Sequence, residues 1–190
     1  PACWVPRYGA YVLKRGLSFT SGFEELRRVQ GTPAAPAGEG QAPSREGGYE
    51  EVVTTLVKAR KTLELALLCR LEPAEETETT VFCLRGVADD VCQLWRLFNQ
   101  SLQWVVEQAD GGGLFEDVEP SAVQECLDDF SGFYESRCEE VEAFLNETDE
   151  LLSVYGLALL DRAADSSHTP NASKGSRGSG GRGGCGRGRG

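Results

Sequence analysis

The sequence contains no methionine and one histidine, His168, which sits in a polar run close to the C-terminal end. Imidazole is the side chain whose ordinary pKa suits proton transfer near neutrality, and it is the commonest metal ligand. Without one in the body of the chain, a Ser–His or Cys–His nucleophile has no base unless the tail folds back. Close thiol pairs are missing too. The seven cysteines, Cys3, Cys69, Cys83, Cys92, Cys126, Cys138 and Cys185, include no C-x-x-C. Cys83 and Cys92 are nine apart and Cys126 and Cys138 twelve, which is not the spacing of a structural zinc site. They read as free thiols that serve as small apolar side chains. Long apolar runs are also lacking: the longest, residues 65–69, falls far short of the roughly 20 residues a membrane helix needs. Arg7, Lys14 and Arg15 break up the apolar residues at the start, so the basic-then-apolar order of a signal peptide is not there. The chain opens on Pro1, which fits a processed or trimmed start or a fragment. Asn99, Asn146 and Asn171 open formal glycosylation sequons, but without a secretory route they read as chance matches. The expectation is a soluble, unsecreted protein of the cytoplasm or nucleus.

What the chain has in excess is negative charge, with a formal net of −11. It is unevenly spread: residues 1–48 carry a net +2, 49–110 a net −5, 111–165 a net −13 and 166–190 a net +5. An acidic body repels phosphate backbones, so any nucleic-acid contact falls to the basic tail.

Residues 3–13 are aromatic and β-branched, with Pro6 and Gly9 as punctuation, and are expected to form an extended piece or hairpin. Ser21-Gly22-Phe23-Glu24 has the pattern of a capping box, in which Ser21 starts a short helix running to about Gln30. Residues 31–48 are mostly Gly, Pro, Ala, Gln and Glu, which marks a flexible linker. Three helical patterns follow. The first, 49–72, places Tyr49, Val52, Val53, Leu56, Ala59, Leu63, Ala66, Leu67 and Leu71 on one stripe, and Pro73 with Glu75 and Glu76 makes the turn. The second, 79–110, repeats Leu84, Ala88, Val91, Trp95, Phe98, Leu102 and Val105 at alternating steps of four and three, and Gly111, Gly112 and Gly113 end it. The third opens at Pro120 and carries Val123, Leu127, Phe130, Tyr134, Cys138, Val141, Leu145, Leu152, Tyr155 and Leu159, with Gly132 and Gly156 as weak points in a pattern reaching 162.

Short links between long amphipathic helices imply antiparallel neighbours. The expected fold is all-α: an antiparallel three-helix bundle (four-helix if the N-terminal helix joins it) or an elongated coiled-coil-like bundle, with a disordered C-terminal tail. Residues 1–30 are the N-terminal extended segment plus short helix, 31–48 the linker, 49–165 the acidic bundle, and 166–190 the disordered Arg/Gly-rich tail. Val87, Leu94 and Val106 widen the second stripe beyond a two-helix seam, so either the bundle is globular or a partner helix supplies another wall.

The sequence offers no catalytic set, no cofactor motif and no metal site. Asp128, Asp129, Glu139, Glu140, Glu142, Glu147, Asp149 and Glu150 fall mostly opposite the third stripe, where carboxylates are solvated or dock a partner. None is placed in the apolar pocket that a general acid requires. The glycines at 111–113 lack the Gly-Lys-Ser/Thr of a phosphate loop and follow a helix.

Two segments carry local resemblances. Residues 174–190, with Arg177, Arg182, Arg187 and Arg189 set among glycines, resemble the arginine–glycine-rich tracts of RNA-associated proteins. That resemblance implies weak, sequence-tolerant RNA contact and arginine methylation, although the interleaved aromatics that strengthen stacking are missing. A solubilising or cloning-derived tail, or one folded against the protein's own acidic face, has the same composition. Leu84-Arg85-Gly86-Val87-Ala88-Asp89-Asp90-Val91 resembles the death-motif helix by which pro-apoptotic ligands dock into grooved partners. The resemblance implies Leu84, Val87 and Val91 as anchors and Asp89 as the groove's ionic contact. It departs at the first anchor, where Thr80 stands. Trp104 falls off the strict stripe and is a candidate partner contact. Together these expectations describe a non-enzymatic adaptor or scaffold subunit whose partners are proteins with helical or basic surfaces. It forms homo- or hetero-oligomers and touches no membrane. The alternatives are an RNA-associated protein and an apoptotic or regulatory ligand.

Overall fold

A computed structural model describes residues 3–29, 48–111 and 118–160. Within them lie α1 (Trp4–Ser18), α2 (Glu24–Val29), α3 (Tyr49–Leu67), α4 (Glu78–Gly111) and α5 (Pro120–Val154), with 3-10 turns at Ser21–Phe23 and Pro73–Glu75. No strand occurs among the described residues. The all-α bundle expected from the stripes is what forms. The linker and tail segments lie outside the described residues, apart from Gly48.

The expected extended piece at the N-terminus is instead α1, and two physical facts account for the difference. Pro6 sits in the first turn, where a backbone N–H has no partner within the helix and its loss costs nothing. Trp4, Tyr8, Tyr11, Arg15 and Ser18 recur at steps of four and three, so one face carries Trp4, Tyr11 and Ser18 into the interior. Trp4 stacks on Tyr8, with ring centroids 4.5 Å apart. The expected cap is also displaced. Thr20, not Ser21, bonds the carboxylate: its amide donates to Glu25 Oε1 at 3.0 Å and its hydroxyl to Oε2 at 3.2 Å. Between them Gly22 and Phe23 take positive φ values of 75° and 55°. The second is costly for an aromatic residue. It is held by complete burial of Phe23 beneath the Arg15 guanidinium, 3.8 Å from the ring centroid.

Directions follow from the contacts between helices. Tyr49 Oη donates to the Ala122 carbonyl, Arg60 pairs with Asp129, and Arg70 pairs with Glu147, so α3 and α5 run the same way. Trp95 stacks on Tyr134 at 4.4 Å while Leu160 N–H reaches Asp89, so α4 runs against α5. The bundle is up-down-up, and α1 packs along α3 as a fourth helix. Packing by α5, α3 and α2 around α4 explains its wide apolar face. Val81, Val87, Leu94 and Leu97 are buried beside the heptad residues, whereas Trp95 is half-buried and Val106 exposed. Phe98 lies at the centre, edge-on to Phe130 and Phe133. Buried Thr62 and Ser101 satisfy their hydroxyls by donating to the carbonyls of Lys58 and Leu97, one turn earlier.

Two boundaries fall short of the sequence pattern. α3 ends at Leu67, and residues 68–72 lead to the Pro73–Glu75 turn. α5 passes through Gly132 but stops at Val154 in a Schellman cap: Gly156 N–H donates to Ser153 O, and Leu157 N–H to Leu152 O. Gly156 supplies the left-handed φ of 68° that this turn requires. Leu159 then re-enters the core.

Candidate interaction surfaces

The N-terminal helix is fixed to the bundle at both ends by charge. At its start, the Trp4 amide donates to Glu75 Oε1 at 2.6 Å, and Arg7 reaches Glu75 and the Arg70 carbonyl. A carboxylate at a helix N-terminus satisfies a free amide and meets the positive end of the dipole. The Trp4 bond, helped by the Glu72 amide and Arg7, holds the Glu75 carboxyl below its ordinary value. At the far end, Arg15 Nε donates to Asp90 Oδ2 at 3.0 Å, and Nη1 donates to the carbonyls of Phe19 and Thr20. Tyr11 Oη donates to the same Asp90 oxygen at 2.5 Å. Burial, and then the Asp90 carboxylate, push the Tyr11 phenol far above its ordinary value, so it remains a donor at every physiological pH.

With Arg7, Tyr11 and Arg15 committed inward, α1 turns an apolar face outward. Val5, Val12, Leu13 and Leu17 are 64%, 45%, 64% and 77% exposed. Gly9, Ala10 and Gly16 lie exposed among them. Helix-interior glycines cost roughly 1 kcal/mol each relative to alanine. Nothing among the described residues requires them at these positions, since a Cβ added at Gly9 or Gly16 would meet no atom within 4 Å. This surface was missed in the sequence. Its signal was an apolar series on both sides of the helix once helix is assumed, where a bundle helix ordinarily has one.

The opposite character belongs to α5. Glu125, Asp128, Glu135, Glu139, Glu142 and Glu150 recur along its exposed side. Asp129 and Glu147 pair with Arg60 and Arg70, and Glu140 with Arg137 one turn before. Glu135, Glu139 and Glu142 make no salt bridge among the described residues.

The death-motif-like segment is part of the core. Leu84, Val87, Ala88 and Val91 are all buried, and Asp89 accepts the Leu160 amide at 2.9 Å while facing Arg85. These anchors are engaged by the chain's own helices, and presenting them to a groove would require α4 to leave the bundle. Thr80, the departure from that pattern, has a local role. Its amide donates to Thr77 Oγ1, and its own Oγ1 accepts from the Thr77 amide, a reciprocal cap at the start of α4. Trp104 is half-buried against the core.

Cys69 is fully buried; burial pushes its thiol up to about 12, against the pull of Arg7, so it is an unreactive packing group. Burial likewise raises the Cys126 thiol and, with the bond to Cys126, pushes the Tyr49 phenol up to about 12. Among the described residues no group of three or more His, Cys, Asp or Glu is placed to hold a metal, and no helix is long and apolar enough to cross a membrane. His168, Cys185, Arg177, Arg182, Arg187 and Arg189 lie outside the described residues. Compared with known protein families, curated proteins and solved structures, the chain matches none.

Proposed function

We propose that this chain is a non-enzymatic adaptor or scaffold subunit, of the cytoplasm or nucleus, which binds protein partners through its helical bundle. The observation that carries the reading is the outer side of α5, where Glu135, Glu139 and Glu142 are exposed at steps of four and three without a basic partner. Like charges left unneutralised on one face produce a field that attracts a basic surface and speeds its encounter. Each exposed ion pair contributes only about 0–1 kcal/mol, so the face sets orientation and rate more than affinity. The half-buried Trp104 is the large aromatic offered as an anchor, a residue type that often dominates binding energy.

The test compares the full chain with a Glu135→Gln, Glu139→Gln, Glu142→Gln variant as bait in cell extract. Support is a defined set of proteins, recovered at about 0.1 M salt, that is lost both in the variant and at high salt. Equal recovery by the two baits would overturn the reading.

A further inference from the structure

We propose that the outer face of α1 is a self-association surface, on which a second copy of this chain docks its own α1 in antiparallel orientation. Area is the first reason. The exposed parts of Val5, Val12, Leu13 and Leu17 with the small residues between them amount to roughly 500 Å² per copy, so a pair buries at most roughly 1,000 Å², the lower bound of a specific interface. Shape is the second. Pro6, Gly9, Leu13 and Gly16 recur at steps of three, four and three, the spacing of a helix–helix seam. A two-fold axis level with Tyr11 sets Leu13 of one copy over Gly9 of the other and Pro6 level with Gly16, with the two Val12 side chains flanking the seam on one side and the two Ala10 methyls on the other. Large residues thus meet small ones, and the open space above both glycines is what a close approach needs.

Two further observations favour a second copy over other occupants. Residues 30–47 and 161–190 contain no Val, Leu, Ile, Phe, Tyr or Trp, and Leu114 and Phe115 belong to the α4–α5 connection. This sequence therefore supplies no apolar segment of its own to cover the face. The segment 1–48 is net +2 while the carboxylates concentrate on α5, so pairing through α1 does not press acidic faces together. An anionic lipid surface would instead meet a body of strong negative charge.

The purified full chain is tested by sedimentation equilibrium across a range reaching about 100 μM, the strength expected of a minimal interface. The mass is expected to rise to that of a dimer. Leu13→Asp and, separately, Gly9→Val are each expected to weaken association about tenfold or more. Both positions lie outside the core, so far-UV circular dichroism should be unchanged, and Val106→Asp, exposed near the far end of α4, should dimerise normally. A monomeric mass throughout, or dimers unaffected by both face variants, would overturn the proposal. So would wild-type monomer binding to phosphatidylcholine vesicles that Leu13→Asp abolishes, which would assign the face to lipid. Because no other protein is present, this outcome is independent of partner capture by α5.

Discussion

Removing the Arg15 side chain should loosen α1 from the bundle by a predictable amount. In Arg15→Ala three things are lost: the charged bond to Asp90, two bonds to the carbonyls of Phe19 and Thr20, and the guanidinium over Phe23. A hydrogen bond between charged groups contributes about 1.5–3 kcal/mol; the lower end applies because the Asp90 side chain is one-third exposed. The carbonyl bonds lie close to solvent, where about 0.5 kcal/mol each is reasonable. The cation–π contact adds about 0.5–1 kcal/mol. The sum is about 3 kcal/mol, a large share of the roughly 5–15 kcal/mol that holds a domain together, yet not enough to abolish folding. Urea unfolding followed by circular dichroism reads the change, and amide exchange along α1 reads its location. A double-mutant cycle with Asp90→Asn should return a coupling of about 1–2 kcal/mol. Lys14→Ala, the neighbouring base without such bonds, should change stability by less than about 0.5 kcal/mol. If Arg15→Ala also fell below about 0.5 kcal/mol, α1 would not be held in the way described.

Because the Trp4 amide lowers the Glu75 carboxyl, Glu75 contributes stability above its ordinary value and loses it as pH falls through the depressed one. Amide exchange at the start of α1 should therefore speed up on acidification, and Glu75→Gln should remove that dependence. Leu84→Ala should cost about 2–4 kcal/mol in thermal or urea unfolding, as a core truncation does, whereas Phe82→Ala, on the exposed side of the same helix, should stay within about 0.5 kcal/mol. Under native alkylation read by mass spectrometry, exposed Cys3 should react first and buried Cys69 last, its thiol being both covered and raised.

The long helices were legible because their apolar residues repeat at helical steps over many turns. Val52 to Leu67, Leu84 to Val105 and Val123 to Leu152 entered the core nearly residue by residue. α1 was not legible, for two reasons. Its Val, Tyr and Trp content matches strand preference, and Pro6 and Gly9 read as breaks, although Pro6 stands in the first turn and Gly9 costs the helix only about 1 kcal/mol. The trans cap from Glu75 to Trp4 joins residues 71 apart, which no local pattern reveals. The death-motif likeness had the opposite problem. Its anchor spacing is that of any buried helix stripe, and only packing on α3 and α5 reveals which interior receives it. The acidic side of α5 was visible as a charge count, but which carboxylates lack a partner depended on where Arg60, Arg70 and Arg137 fell.

Carboxyl-labelling mass spectrometry of a captured complex, compared with the free chain, tests the central claim most directly. If the bundle docks its partner through α5, Glu135, Glu139 and Glu142 should lose labelling on capture, while Glu24 and Glu50 on other helices keep theirs. Undiminished labelling along α5, with protection confined to another part of the chain, would contradict it.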